Sequence, residues 1–157
     1  MTTDELSYLV ISKLKRQGQT LATAESCTGG LVGKLLTDIS GASEVYLGGV
    51  ISYTNGVKRR LLGVEASTLE NETAVSRQTA KEMARGAREV VKADWGVSVT
   101  GLAGPNGDGT GRPVGLVYVA IDGAGFSFCK ELHLTGDREE IRIQAAEAVL
   151  SLVLDYT

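Results

Sequence analysis

The sequence predicts an α/β protein, a three-layer α/β/α sandwich around a mixed β-sheet, built as a single domain over residues 1–157. Three observations predict it. Segments with apolar residues at helical spacing alternate along the chain with short β-rich runs. Two of the β-rich runs are joined by a glycine turn, which adds an antiparallel pair to the parallel strands expected of such alternation. With 43% hydrophobic residues and no internal repeat or linker, 157 residues suffice for one core, and size scaling has a chain of this length bury roughly 70% of its unfolded surface.

Each element has its own signal. Thr2 with Glu5 forms a capping-box pattern, and Leu6, Leu9, Val10 and Leu14 follow at helical spacing as far as Gly18. TLATAE (20–25) reads as a strand, and Leu31, Val32, Leu35, Leu36 and Ile39 mark the inward stripe of the next helix. VYLGGVISYT (45–54) is a second strand, in which Gly48 and Gly49 signal a bulge or a close backbone approach. A short helix is expected over 55–62. Ser76 caps another that carries Ala80, Met83, Ala84, Ala87, Val90 and Val91 on one side. WGVSVTGLAG (95–104) and VGLVYVAIDG (114–123) are strands separated by the loop GPNGDGTGRP (104–113), and FSFCKELHL (126–134) is the hairpin partner. Asp137 with Glu140 opens a last helix that runs nearly to the end.

Composition narrows the function. The net charge is -3 and the sixteen basic residues are spread along the chain, which argues against nucleic acid as a partner and for a small molecule. No apolar run is long enough to span a membrane, and the amphipathic first segment lacks the features of a leader peptide. Cys27 and Cys129 fit no disulfide or metal spacing, so a cytoplasmic location and the absence of a metal site or cofactor are expected.

Three stretches carry chemistry. In LATAESCTGGLVGKLL (21–36) a strand turns into a helix through Ser26, Cys27, Thr28, Gly29 and Gly30. Unpaired amides at a helix start attract anions, so Ser26, Thr28 and the two glycines form either a phosphate-binding turn or a helix cap. Cys27 is a nucleophile in principle, without an evident histidine partner. In GASEVYLGGVISYTNGVKRRLLGV (41–64), either Ser43, Tyr53 and Lys58 supply a nucleophile, a proton relay and a base, or Tyr53 simply packs and Lys58 is an ordinary solvated lysine. The lone histidine, His133, makes a serine-histidine-acid triad unpromising, whereas a lysine of lowered pKa serves as base, its protonation disfavoured by nearby Arg59 and Arg60. In SVTGLAGPNGDGTGRPVG (98–115), Thr100 and Gly101 end a strand where α/β sheets place ligands, and the glycine-rich stretch beyond is either part of that site or a long flexible hairpin loop. Arg138 and Arg142, one turn apart, either pair with Asp137 or Glu139 or bind phosphate.

Taken in order, AESCTGG, GGVISYTNGVKRRLLGV, VTGLAGPNGDG and PVGLVYVAI closely resemble the CinA C-terminal domain family over nearly the whole chain. The resemblance implies a nicotinamide-nucleotide amidase of the stand-alone form, hydrolysing nicotinamide mononucleotide to nicotinate mononucleotide and ammonia. It also implies an α/β/α fold, homodimers or higher homo-oligomers, and no catalytic metal. By the same resemblance Ser43 is the nucleophile, Lys58 and Tyr53 activate it, and Thr100 is a binding or oxyanion group. Ser26, Thr28, Gly29, Gly30, Gly101, Arg138 and Arg142 complete the expected substrate-binding set. A non-catalytic nucleotide-binding or interaction domain is the alternative.

Overall fold

A computed structural model describes residues 1–157. Its elements are α1 (Thr3–Gln17), β1 (Leu21–Glu25), α2 (Leu31–Thr37), a 3-10 turn (Ala42–Glu44), β2 (Tyr46–Ile51), α3 (Asn55–Leu62), α4 (Ala66–Asn71), α5 (Arg77–Val91), β3 (Trp95–Gly101), β4 (Leu116–Gly123), β5 (Phe126–His133) and α6 (Arg138–Tyr156). The five strands form one sheet in the order β2-β1-β3-β4-β5. β1 runs parallel to both β2 and β3, and β3, β4 and β5 are successively antiparallel. The mixed α/β/α sandwich expected from the sequence is therefore the observed fold.

Alternation along the strands sorts the two faces. Leu21, Val97, Val99, Val117, Val119 and Ile121 point to the side covered by α1, α2 and α6, where the largest core cluster lies. Ala22, Ala24 and Ala120 face α3 and α5. These residues are small because α5 lies close to the sheet: a Cβ on Gly96 of β3 would collide with the Ala84 carbonyl, and Ser98 Oγ donates to the Ala80 carbonyl at 2.5 Å.

Caps and glycines act as the sequence suggests, with exceptions. Asp137 and Glu140 form a complete capping box on α6, whereas at α1 only the Thr2 hydroxyl accepts from the Glu5 amide. The Gly48–Gly49 expectation holds in both its forms. The β1–β2 register shifts by one residue beside Gly48, and Gly49 leaves the room that Thr23 Oγ1 occupies. β2 stops at Ile51 rather than Thr54, because Thr54 turns away to cap α3. α2 ends at Thr37, so Ile39 packs from beyond the helix. Val90 is exposed at the margin of the α5 stripe, and α4 has no counterpart among the expected elements. No helix is long and apolar enough to cross a membrane.

This topology places a crevice. From β1 the chain crosses one face through α2 to β2, then returns over the other face through α5 to β3 on the opposite side of β1. The two crossovers part at the carboxyl end of β1, the position where open α/β sheets bind ligands.

Candidate active site

β1 ends at Glu25, and the Ser26 amide still donates to the Val99 carbonyl of β3 at 3.0 Å. The backbone then reverses through Gly29 (φ 59°) and Gly30 (φ 109°), conformations that side chains other than glycine rarely adopt, before α2 begins. The amides at the start of α2 already have an anion. The Glu25 carboxylate accepts from Gly30 N (3.2 Å), Val32 N (2.9 Å), Gly33 N (3.0 Å) and Thr28 Oγ1 (2.6 Å). From the other side, Arg142 donates to the carbonyls of Cys27 and Thr28, each at 3.0 Å.

Across from this turn, the Thr54-capped α3 carries Lys58 one turn in. The Lys58 ammonium is 1% exposed and donates to Ser26 Oγ (3.0 Å) and to the Ser52 carbonyl (2.7 Å). Ser52 is in turn fixed by its amide, which donates to the Glu25 carbonyl at 2.7 Å. Burial without a carboxylate partner lowers the Lys58 pKa to about 8. Burial acts oppositely on the adjacent Cys27 thiol, which rises to about 12 and stays protonated at neutral pH, so it is no thiolate nucleophile.

Ser26 and Lys58 lie in a cleft of about 300 Å³ at the carboxyl ends of β1, β2 and β3. Tyr53 and Asn55 wall it on one side, Thr100 and Gly101 form part of its floor, and the 102–108 loop and Arg138 close the other side. Arg138 donates to the Gly104 carbonyl (2.6 Å) and the Tyr53 hydroxyl (3.2 Å) and takes part in none of the six ion pairs of the chain. No group of three or more His, Cys, Asp or Glu side chains is arranged to hold a metal ion.

Ser26, Tyr53, Lys58, Thr100, Gly101 and Arg138 are thus brought together, and several expectations need correction. Ser43 sits exposed on the 3-10 turn before β2, while Lys58 follows its other end. Six residues of strand, roughly 20 Å, intervene. Thr28, Gly29 and Gly30 do not line the cleft, and the anion they were expected to receive is the protein's own Glu25 carboxylate. Arg142 braces the turn rather than facing the cleft. Tyr53 does not stand between Ser26 and Lys58, which touch directly, and its hydroxyl accepts from Arg138 instead. The Thr100 hydroxyl donates to the Ala74 carbonyl at 2.7 Å, which leaves it an acceptor toward a ligand rather than an oxyanion donor. Neither arginine pairs with Asp137 or Glu139, and Arg59 and Arg60 are exposed, so burial rather than like charge depresses Lys58.

Sequence reasoning missed Glu25 and the Ser52 carbonyl. A carboxylate as the last residue of a strand, five to eight residues before helix amides, is a signal that would have found Glu25. The Ser52 carbonyl has no side-chain signature at all.

The model of the CinA C-terminal domain family matches residues 3–157. A competence-damage inducible protein of Caldanaerobacter subterraneus subsp. tengcongensis is 46% identical over 153 residues, which is 98% of this chain and 37% of that protein. A CinA-like protein of Syntrophomonas wolfei is 46% identical over 150 residues, 96% of this chain and 36% of its own length. The chain therefore spans little more than a third of these curated relatives. Among solved structures, the competence/damage inducible protein CihA of Agrobacterium tumefaciens superimposes with a TM-score of 0.94 at 40% identity, covering 98% of this chain and 94% of its own. The competence damage-inducible protein A (ComA) of Klebsiella pneumoniae does so at 0.97 and 33% identity, covering 99% and 97%.

Proposed function

We propose, from the premise that this chain belongs to the CinA C-terminal domain family, that it is a nicotinamide-nucleotide amidase in which Ser26 is the nucleophile and Lys58 the base. The observation that carries this reading is the buried contact between Lys58 Nζ and Ser26 Oγ, 3.0 Å apart at the floor of the cleft. A non-catalytic binding domain has no use for a lysine held in a site that penalises its charge.

In this mechanism, neutral Lys58 accepts the Ser26 hydroxyl proton as Oγ bonds to the carboxamide carbon. The developing oxyanion takes the amide N–H of Cys27, which follows the nucleophile and has no backbone or side-chain acceptor elsewhere in the chain. The tetrahedral intermediate collapses with cleavage of the C–N bond, and the Lys58 ammonium returns its proton to the departing nitrogen, which leaves as ammonia. Water then attacks the ester, its proton passing to Lys58 and from there to Ser26 Oγ, and the nicotinate product leaves. Thr100 Oγ1 accepts from the carboxamide N–H, and Arg138 binds the substrate phosphate. The partner is thus a small pyridine nucleotide.

Incubating the purified chain with nicotinamide mononucleotide and measuring ammonia tests the reading, and equal release with and without a strong chelator is expected. No ammonia above the uncatalysed background would refute the amidase, and loss with chelator restored by a divalent ion would refute its metal independence. Arg138→Gln is expected to weaken apparent affinity for the mononucleotide about 10- to 100-fold, the worth of a hydrogen bond to a charged group. Hydrolysis of nicotinamide riboside, which keeps the pyridinium ring but lacks the phosphate, should change little. Equal losses on both substrates would remove Arg138 as the phosphate group.

A further inference from the structure

We propose that Glu25 is a positioning residue for the nucleophile turn, an internal anion that fixes where Ser26 stands relative to Lys58. The inference rests on the reading of Ser26 as nucleophile. Residues 26–30 carry the nucleophile but have no ladder of their own beyond the single Ser26 amide bond to Val99. Their geometry is set by two opposed charges. The Glu25 carboxylate, 3% exposed, holds the Thr28 hydroxyl and three amides at the α2 start, and the Arg142 guanidinium holds the two intervening carbonyls. The main chain of Glu25 reaches the other half of the pair, because its carbonyl accepts from the Ser52 amide and the Ser52 carbonyl accepts from Lys58. One residue thereby references both members of the pair to the end of β1. These helix-start amides are thereby spent on orienting the turn.

A small displacement is enough to matter, since a misplacement near 1 Å costs about 100-fold in rate. In Glu25→Gln one acceptor oxygen becomes an amide group that cannot accept from the turn, at nearly constant volume. Expected results are a fall in kcat of about tenfold or more with KM within about threefold, since nothing that faces the ligand is removed. Amide hydrogen exchange at Gly30, Val32 and Gly33 should accelerate, as should iodoacetamide labelling of Cys27, read separately from Cys129 by peptide mass. Glu25→Asp should recover part of kcat and part of the protection. Thr28→Val, which deletes one bond to the carboxylate, provides the same readings if Glu25→Gln does not fold.

Unchanged kcat together with unchanged exchange in Glu25→Gln would overturn the proposal. So would a loss of kcat fully explained by a smaller folded fraction. Exchange and labelling need no turnover, so they decide whether Glu25 holds the turn even if the wild-type chain releases no ammonia, a result that would instead defeat the amidase reading.

Discussion

Ser26→Ala is expected to reduce turnover of nicotinamide mononucleotide by about 1,000-fold or more while leaving substrate affinity nearly intact, and Ser43→Ala to leave turnover within about twofold. The asymmetry follows from position. Ser26 Oγ touches the only lysine at the cleft, and the residue lines that cleft while being 8% exposed. Ser43 lies on a solvent-facing turn beyond the far end of β2, where the neighbouring Lys15 is exposed and paired with Glu44 rather than buried against the serine. Removing the Ser26 hydroxyl would eliminate the proposed covalent route and leave the proposed ligand contacts of Arg138 and Thr100 in place, so calorimetric binding should survive. Steady-state rates of both variants, with binding of the product nicotinate mononucleotide measured in parallel, check the assignment. A Ser26→Ala enzyme of near-normal turnover would return the nucleophile to another residue.

The second large effect concerns Lys58 and pH. A base must be neutral, so kcat/KM should climb as pH rises through about 8, the value to which burial lowers this lysine. Lys58→Arg keeps a positive charge but titrates above about 12, and it should be inactive across the accessible range. The same burial makes Lys58 a cost to the fold. An unfolded lysine titrates near 10.4, so between about 8 and 10.4 the unfolded chain binds more protons than the folded one, and stability rises with pH over that window. The full benefit is present above the unfolded pKa and is lost as pH falls through the folded one, a swing of about 3 kcal/mol from a shift of this size. Lys58→Met, which cannot ionise, should therefore exceed the wild type in urea resistance at pH 6–7, and the gap should close by about pH 10.5. Part of the gain is offset because the Ser52 carbonyl loses its partner. Paired urea titrations from pH 6 to 10.5 measure the gap directly. A gap that widened toward high pH would show that the buried ammonium is not destabilising.

The amino-acid sequence by itself determined the layers and the order of elements. Periodicities of Leu6–Leu14 and Ala80–Ala87, the caps at Ser76 and Asp137, and the Gly123–Gly125 turn are interactions between near neighbours, legible wherever the chain folds. It also singled out the stretches that bring polar side chains to the cleft, though not the Ala74–Val75 segment, because a hydroxyl-rich turn after a strand and a polar strand end are local signals too. Only the tertiary structure decided which of those residues meet. Ser26 and Lys58 are 32 positions apart, and their contact depends on β1 and β2 lying parallel with their carboxyl ends together, a register that excludes Ser43 by placing it at the opposite end of the strand. The helix-start amides that the sequence offered to a phosphate are taken by Glu25, whose side chain competes at the effective concentration of a neighbouring residue. Local pattern specifies what a segment can do; which charge fills a site first is settled by packing, because burial and distance exist only in the folded chain.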